Sequence, residues 1–110
     1  MSESPIMIVT GGSRGIGSAI ARLAGERGYD VCVNYTASAD RAEAVAQDIR
    51  SHGQSAIAVQ ADVSKPDDIE RLFAETDEGL GKVDVLVNNA AISIEVAIAD
   101  VDVDIMRSQI

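Results

Sequence analysis

A chain of 110 residues suits one small domain, and a hydrophobic fraction of 46% is enough to give it a core. Its 18 acidic and 9 basic residues leave a net charge of -9. That excludes a nucleic-acid interface built on clustered lysine and arginine, while one bound nucleotide needs only a few local groups.

Ile6 to Thr10 is a short Ile/Val-rich run between Pro5 and Gly11 and reads as a buried strand. The apolar positions Ile16, Ala19, Ile20, Leu23 and Ala24 then recur at helical spacing, and Gly28 can close that helix in a left-handed conformation. Val31-Cys32-Val33 is the second strand. Ser38 can cap a second helix whose inward face is Ala42, Val45, Ala46 and Ile49, ended by Gly53. Ala56 to Val59 is the third strand. Ser64, with Pro66 and Asp67 in the next turn, resembles a capping-box start for a third helix burying Ile69, Leu72, Phe73 and Leu80, with Gly79 and Gly81 as its stop. Val83 to Val87 is the fourth strand, and Asp100 to Ile110 reads as the beginning of a fourth helix. Apolar strands alternating with amphipathic helices imply an α/β fold: a Rossmann-type doubly wound parallel sheet, N-terminal half, with strand order 3-2-1-4.

Cys32 is the only cysteine, so no intramolecular disulfide is possible, and its apolar neighbours make it a buried small hydrophobe. His52 is the only histidine and sits where a helix-end cation is favourable; one Cys and one His cannot assemble a zinc site, so no metal is expected. The apolar stretch Ile6-Met7-Ile8-Val9 is too short for a signal-peptide core or a membrane span. A cytoplasmic protein without membrane or nucleic-acid partners is expected.

The strongest chemical signal is Thr10-Gly11-Gly12-Ser13-Arg14-Gly15-Ile16-Gly17, between the first strand and the first helix. Glycines there permit a sharp turn and let backbone N–H groups approach a pyrophosphate, to which the helix N-terminus adds its positive dipole end. Gly17 also allows close helix–strand packing. Gly12 and Gly17 have the spacing of a P-loop, but Ser18 stands where that motif needs lysine.

The spacing Gly11-x-x-x-Gly15-x-Gly17 resembles the T-G-x-x-x-G-x-G fingerprint of the short-chain dehydrogenase/reductase family. Asp62-Val63 after the third strand and Asn88-Asn89-Ala90-Ala91 after the fourth also match that family, the latter looking like its N-N-A-G with Ala91 in place of glycine. Gly-Gly-Ser-Arg-Gly-Ile-Gly, with Val-Asn-Tyr ending the second strand, is most similar to its 3-oxoacyl-carrier-protein reductase and glucose/ribitol dehydrogenase groups. The resemblance implies a hydride transfer between a nicotinamide coenzyme and a carbonyl or alcohol small molecule, in a homo-oligomer (dimer or tetramer). It implies that Gly11, Ser13, Arg14, Gly15, Ile16 and Gly17 form the phosphate turn, that Asp62 bonds the adenine amino group beside the Val63 backbone, that Asn89 braces strand ends, and that Ala90 and Ala91 border the ribose.

The coenzyme choice follows from charge. An NAD site usually has Asp or Glu at the end of the second strand, to bond the ribose 2′-OH. Here that place reads Asn34-Tyr35-Thr36-Ala37-Ser38, and Asp30 is at the other end of the strand. No carboxylate repels a 2′-phosphate there, Arg14 is placed to meet one, and Asn34, Tyr35 and Thr36 lie where the ribose would be read, so NADP(H) is favoured over NAD(H).

The family's acid–base pair is a tyrosine followed four residues later by a lysine. Tyr29 and Tyr35 are followed at that distance by Val33 and Ala39, and the only lysines are Lys65 and Lys82, so no catalytic residue is assigned. Residues 1–110 therefore read as the NADP-binding N-terminal part of a Rossmann-fold domain, truncated before the catalytic segment and inactive alone. A non-catalytic NADP-binding sensor or a pseudoenzyme module is the alternative.

Overall fold

The computed structural model describes residues 4–89. Strands and helices alternate as β1 (Ile6–Val9), α1 (Gly15–Glu26), β2 (Asp30–Tyr35), α2 (Ala39–Arg50), β3 (Ala56–Gln60), α3 (Pro66–Gly79) and β4 (Val85–Val87). All pairings are parallel, in the order β3-β2-β1-β4, so the expected half of a doubly wound sheet is present. Met7 lies opposite Val31 on one side and Val85 on the other, and Cys32 lies opposite Ile57.

Period-two alternation sends successive side chains to opposite faces. Met7, Val9, Val31 and Val33 pack with Ala21 and Ala24 of α1 and with Ala42, Val45, Ala46 and Ile49 of α2. Ile8, Cys32 and Leu86 pack on the other face with Leu72 of α3, flanked by the half-buried Ile69, Phe73 and Leu80. Burial pushes the Cys32 thiol up to about 11, partly offset by a hydrogen bond with the Thr76 side chain. Thr76, which the pattern gave no reason to place inside, is fully buried because its hydroxyl donates to the Leu72 carbonyl at 2.7 Å.

The amino ends of the strands are tied by carboxylates. Asp84 accepts from the Ile6 N–H at 2.9 Å while its own N–H donates to the Ile6 carbonyl at 2.8 Å. This clasp holds Val83 and Asp84 outside the ladder, so β4 begins at Val85 rather than Val83. Asp30 accepts from the Ser55 N–H and the Gln54 amide, both at 2.9 Å.

Three expectations are corrected, wholly or in part. The buried stripe of α1 is Gly17, Ser18, Ala21, Ala24 and Gly25, while Ile16 is 74% and Leu23 47% exposed. Proximity selects the face: a Cβ on Gly25 would stand 2.9 Å from the Ile49 side chain, so only small residues fit. Ser38 is the N-cap of α2 as expected, but its hydroxyl makes no cap bond; its carbonyl accepts the Ala42 N–H. Ser64 does not cap α3: Lys65 is the N-cap, and the Ser64 hydroxyl donates to Asp62 at 2.6 Å. His52 lies just past α2, with Nδ1 2.9 Å from the Asp48 carbonyl. No helix among the described residues is long and apolar enough to cross a membrane. The helix expected over Asp100 to Ile110 lies outside the described residues.

Candidate functional site

The residues singled out after β1, β2, β3 and β4 come together because parallel strands put all their carboxyl ends on one edge. In that edge the connection from β1 goes to β2 on one side, while β4 sits on the other side of β1. A ligand crevice opens at such a switch point in doubly wound sheets.

Thr10 is almost fully buried and holds the start of the turn. Its N–H donates to the Val87 carbonyl at 3.0 Å, and its hydroxyl oxygen accepts the Asn89 N–H at 2.8 Å. The Asn89 amide donates to the Gly11 carbonyl at 3.3 Å. A Cβ on Gly17 would overlap that same carbonyl oxygen and stand 2.6 Å from the Asn89 amide nitrogen. Gly11, Gly17 and Asn89 thus interlock, and only hydrogen fits at Gly17. Gly11 (φ 63°) and Gly15 (φ 62°) are left-handed, a conformation that disfavours side chains, yet a Cβ on Gly15 would meet nothing within 4 Å. The turn is therefore tight at its two ends and open at Gly15.

Arg14 is the N-cap of α1, extended and exposed, with no side-chain cap bond. No ion pair holds its guanidinium among the described residues. Missing caps do not distinguish α1, since α2 and α3 lack them too. Charge does. Asp40 stands in the first turn of α2, and Asp67 and Asp68 in that of α3, whereas α1 has no acidic residue there. In a protein of net charge -9, the α1 N-terminus alone of these three keeps its positive dipole end unneutralised by its own side chains. Ser13 is half-buried, Ile16 is exposed, and the Ser18 hydroxyl turns back to the Gly15 carbonyl at 2.9 Å.

At the end of β2, Tyr35 is half-buried and Thr36 exposed, but Asn34 is only 1% exposed. Its amide points inward: the oxygen accepts the Gly11 N–H at 3.1 Å, and the nitrogen donates to the carbonyls of Ala61 and Val59 at 3.1 and 3.3 Å. Asn34 therefore does not join Thr36 at the surface of the site, because its polar atoms are spent on the backbone. Spacing could not show this; the polarity of Asn34 within an apolar strand was the available signal.

Beyond β3, Asp62 accepts from the N–H and hydroxyl of Ser64 through one carboxylate oxygen, at 2.9 and 2.6 Å. These bonds hold the Asp62 carboxyl below its ordinary range, so it is an ionised acceptor at neutral pH. The Asp62 N–H is itself fixed by Asp68 at 2.8 Å, while the Val63 side chain is buried against α3. Ala90 and Ala91, expected beside the ribose, lie outside the described residues.

A family model described as short chain dehydrogenase matches residues 5–110. A 3-oxoacyl-[acyl-carrier-protein] reductase of Staphylococcus epidermidis is 49% identical over 86 residues, covering 78% of this chain and 35% of the relative. Versicolorin reductase 1 of Aspergillus parasiticus is 46% identical over 90 residues, covering 82% and 34%. The chain thus spans about a third of the length of these relatives. A Burkholderia cenocepacia structure with bound NADP superposes with a TM-score of 0.73 at 30% identity, covering 77% of this chain and 33% of that one. Acetoin dehydrogenase of Enterobacter cloacae, at 22% identity, shares the fold with a TM-score of 0.80, over 99% and 52% of the two chains.

Proposed function

Because the chain belongs to the short chain dehydrogenase family, we propose that residues 1–110 capture NADP(H) for an oxidoreductase acting on a carbonyl or alcohol small molecule. The observation that carries this reading is the α1 N-terminus: a glycine turn, no carboxylate in the first turn of the helix, and an unpaired Arg14 at the cap. A dianionic phosphate is the ligand such a place favours. The absence of any carboxylate from Asn34 to Ser38 supports the 2′-phosphorylated coenzyme over NAD(H).

In this reading the turn from Gly11 to Gly17, with Ser13, Arg14 and Ile16, receives the pyrophosphate. Arg14, Tyr35 and Thr36 face the 2′-phosphate and ribose. Asp62 keeps one oxygen for Ser64 and offers the other to the adenine amino group, beside the Val63 backbone. Asn89 holds the turn closed, and Ala90 and Ala91 border the ribose. When bound, the coenzyme supplies or accepts the hydride. The residues here bind and orient it, and neither Tyr29 nor Tyr35 has a lysine four residues on to serve as an acid–base pair. The proposed role of this chain is therefore coenzyme capture. For the whole protein we propose assembly as a homo-oligomer and a cytoplasmic location.

Fluorescence titration with NADPH and NADH tests the reading. NADPH is expected to bind more tightly, and Arg14→Ala to weaken NADPH by about 10- to 100-fold, the loss of one charge-assisted bond, and NADH far less. No binding of NADPH would refute coenzyme capture, and equal losses for both coenzymes would refute a 2′-phosphate contact by Arg14.

A further inference from the structure

We propose that Asn34 is a positioning residue: without touching the coenzyme, it presets the glycine turn and fixes its distance from the Asp62 segment before any nucleotide arrives. This rests on the coenzyme-capture reading of the same edge. Asn34 occupies the central position geometrically. Its side-chain oxygen holds the Gly11 N–H, and its main-chain oxygen holds the Gly12 N–H at 2.8 Å. Its amide nitrogen reaches across the sheet to Val59 and to Ala61, the residue before Asp62. One planar group thus joins the turn after β1 to the chain after β3.

The orientation of the amide is fixed by its partners. Rotating it would set two N–H groups head to head at Gly11 and an oxygen against two carbonyls. Among uncharged side chains of this length, only a primary amide supplies an acceptor at one corner and two donors at the other. Aspartate would face the carbonyls of Val59 and Ala61 with a buried charge, and leucine would take away the side-chain partner of the Gly11 N–H and of the Ala61 carbonyl. With Gly11 and Gly12 committed to Asn34, the N–H groups left for an anion are those from Ser13 onward, and the turn cannot collapse inward to satisfy itself. Binding then proceeds without the ordering cost that a loose glycine loop would bring.

Two measurements decide it. Hydrogen exchange on the unliganded chain is expected to show the Gly11 and Gly12 amides protected like those of β2, and at least about 10-fold slower than the Arg14 amide. Second, Asn34→Ala and Asn34→Leu are compared by NADPH titration at a temperature where circular dichroism shows each folded. The dissociation constant is expected to rise about 10-fold or more, with Gly11 exchange accelerated and β1 and α2 amides unchanged. Wild-type affinity in a folded variant would overturn the proposal. So would fast exchange at Gly11 in the unliganded wild type, which decides the matter even if neither variant folds. Failure of the wild type to bind NADPH, with Gly11 protected, would instead overturn the coenzyme reading and the role of Asn34 with it.

Discussion

Replacing Gly17 by alanine sets two opposing effects against each other on one helix. Alanine gains about 1 kcal/mol of helix propensity over glycine. The new methyl group, however, would overlap the Gly11 carbonyl oxygen and stand 2.6 Å from the Asn89 amide nitrogen. Backbone cannot yield as a side-chain tip can, and overpacking costs about 1–3 kcal/mol. The displaced carbonyl also loses the Asn89 hydrogen bond, worth about 0.5–1.5 kcal/mol. The net is a destabilisation of about 0.5–3.5 kcal/mol, with roughly 4–8 °C lost in Tm per kcal/mol. Moving Gly11 moves the turn itself, so NADPH affinity should fall together with stability. Gly25→Ala is the control: it lies on the same helix with the same propensity gain, but its methyl meets the Ile49 side chain, far from the turn. Thermal denaturation followed by circular dichroism, with NADPH titration of the folded proteins, makes the comparison. A Gly17→Ala protein as stable as the wild type and binding NADPH equally well would refute the interlock of Gly11, Gly17 and Asn89.

Two further outcomes are expected. Thr36→Asp places a carboxylate at the exposed end of β2, and parallel titrations should then show preference moving from NADPH toward NADH; an unchanged ratio would remove Thr36 from the ribose side. Cys32 is protonated in the fold up to about pH 11 while its unfolded thiol ionises near its ordinary value of 9.0, so this group's stabilisation is complete below pH 9 and declines as pH rises toward 11. Urea denaturation at pH 8 and pH 11 should show Cys32→Ala lacking about 1–3 kcal/mol of the decline seen in the wild type; parallel declines would show that the thiol is not the group responsible.

The sheet was legible because it depends on a property that sequence carries directly. Each strand is a short run of β-branched or small apolar residues, and the intervening helices α2 and α3 bury the residues their periodicity marks, Val45 and Leu72 among them. With four such strands and right-handed crossovers, the order 3-2-1-4 follows. The glycine turn was legible for the same kind of reason. Gly11 and Gly15 adopt positive φ, and Gly17 sits where any side chain would collide, so each glycine records a local geometric demand.

What sequence reasoning missed depends on distance between elements rather than on pattern within one. On α1, hydrophobic periodicity marks Ile20 and Ala24, which do pack on the core, but also Ile16 and Leu23, which stay exposed, while closeness to the Gly11 turn and to Ile49 puts Gly17, Ala21 and Gly25 on the buried face. The same blindness hid Asn34. A strand pattern marks it only as a polar residue near a ribose site, while its value lies in reaching Gly11 on one side and Ala61 on the other, residues 23 and 27 positions away in the chain. The caps follow this logic too. Ser64 has the composition of a helix start, yet Asp62 is two residues away and takes its hydroxyl, which leaves the α3 N-terminus to Asp67 and Asp68. Those acids neutralise α3 and Asp40 neutralises α2, so the bare N-terminus of α1 becomes distinctive only once all three helices stand beside one another. The chemistry of this edge is thus set as much by where carboxylates are spent as by where glycines fall.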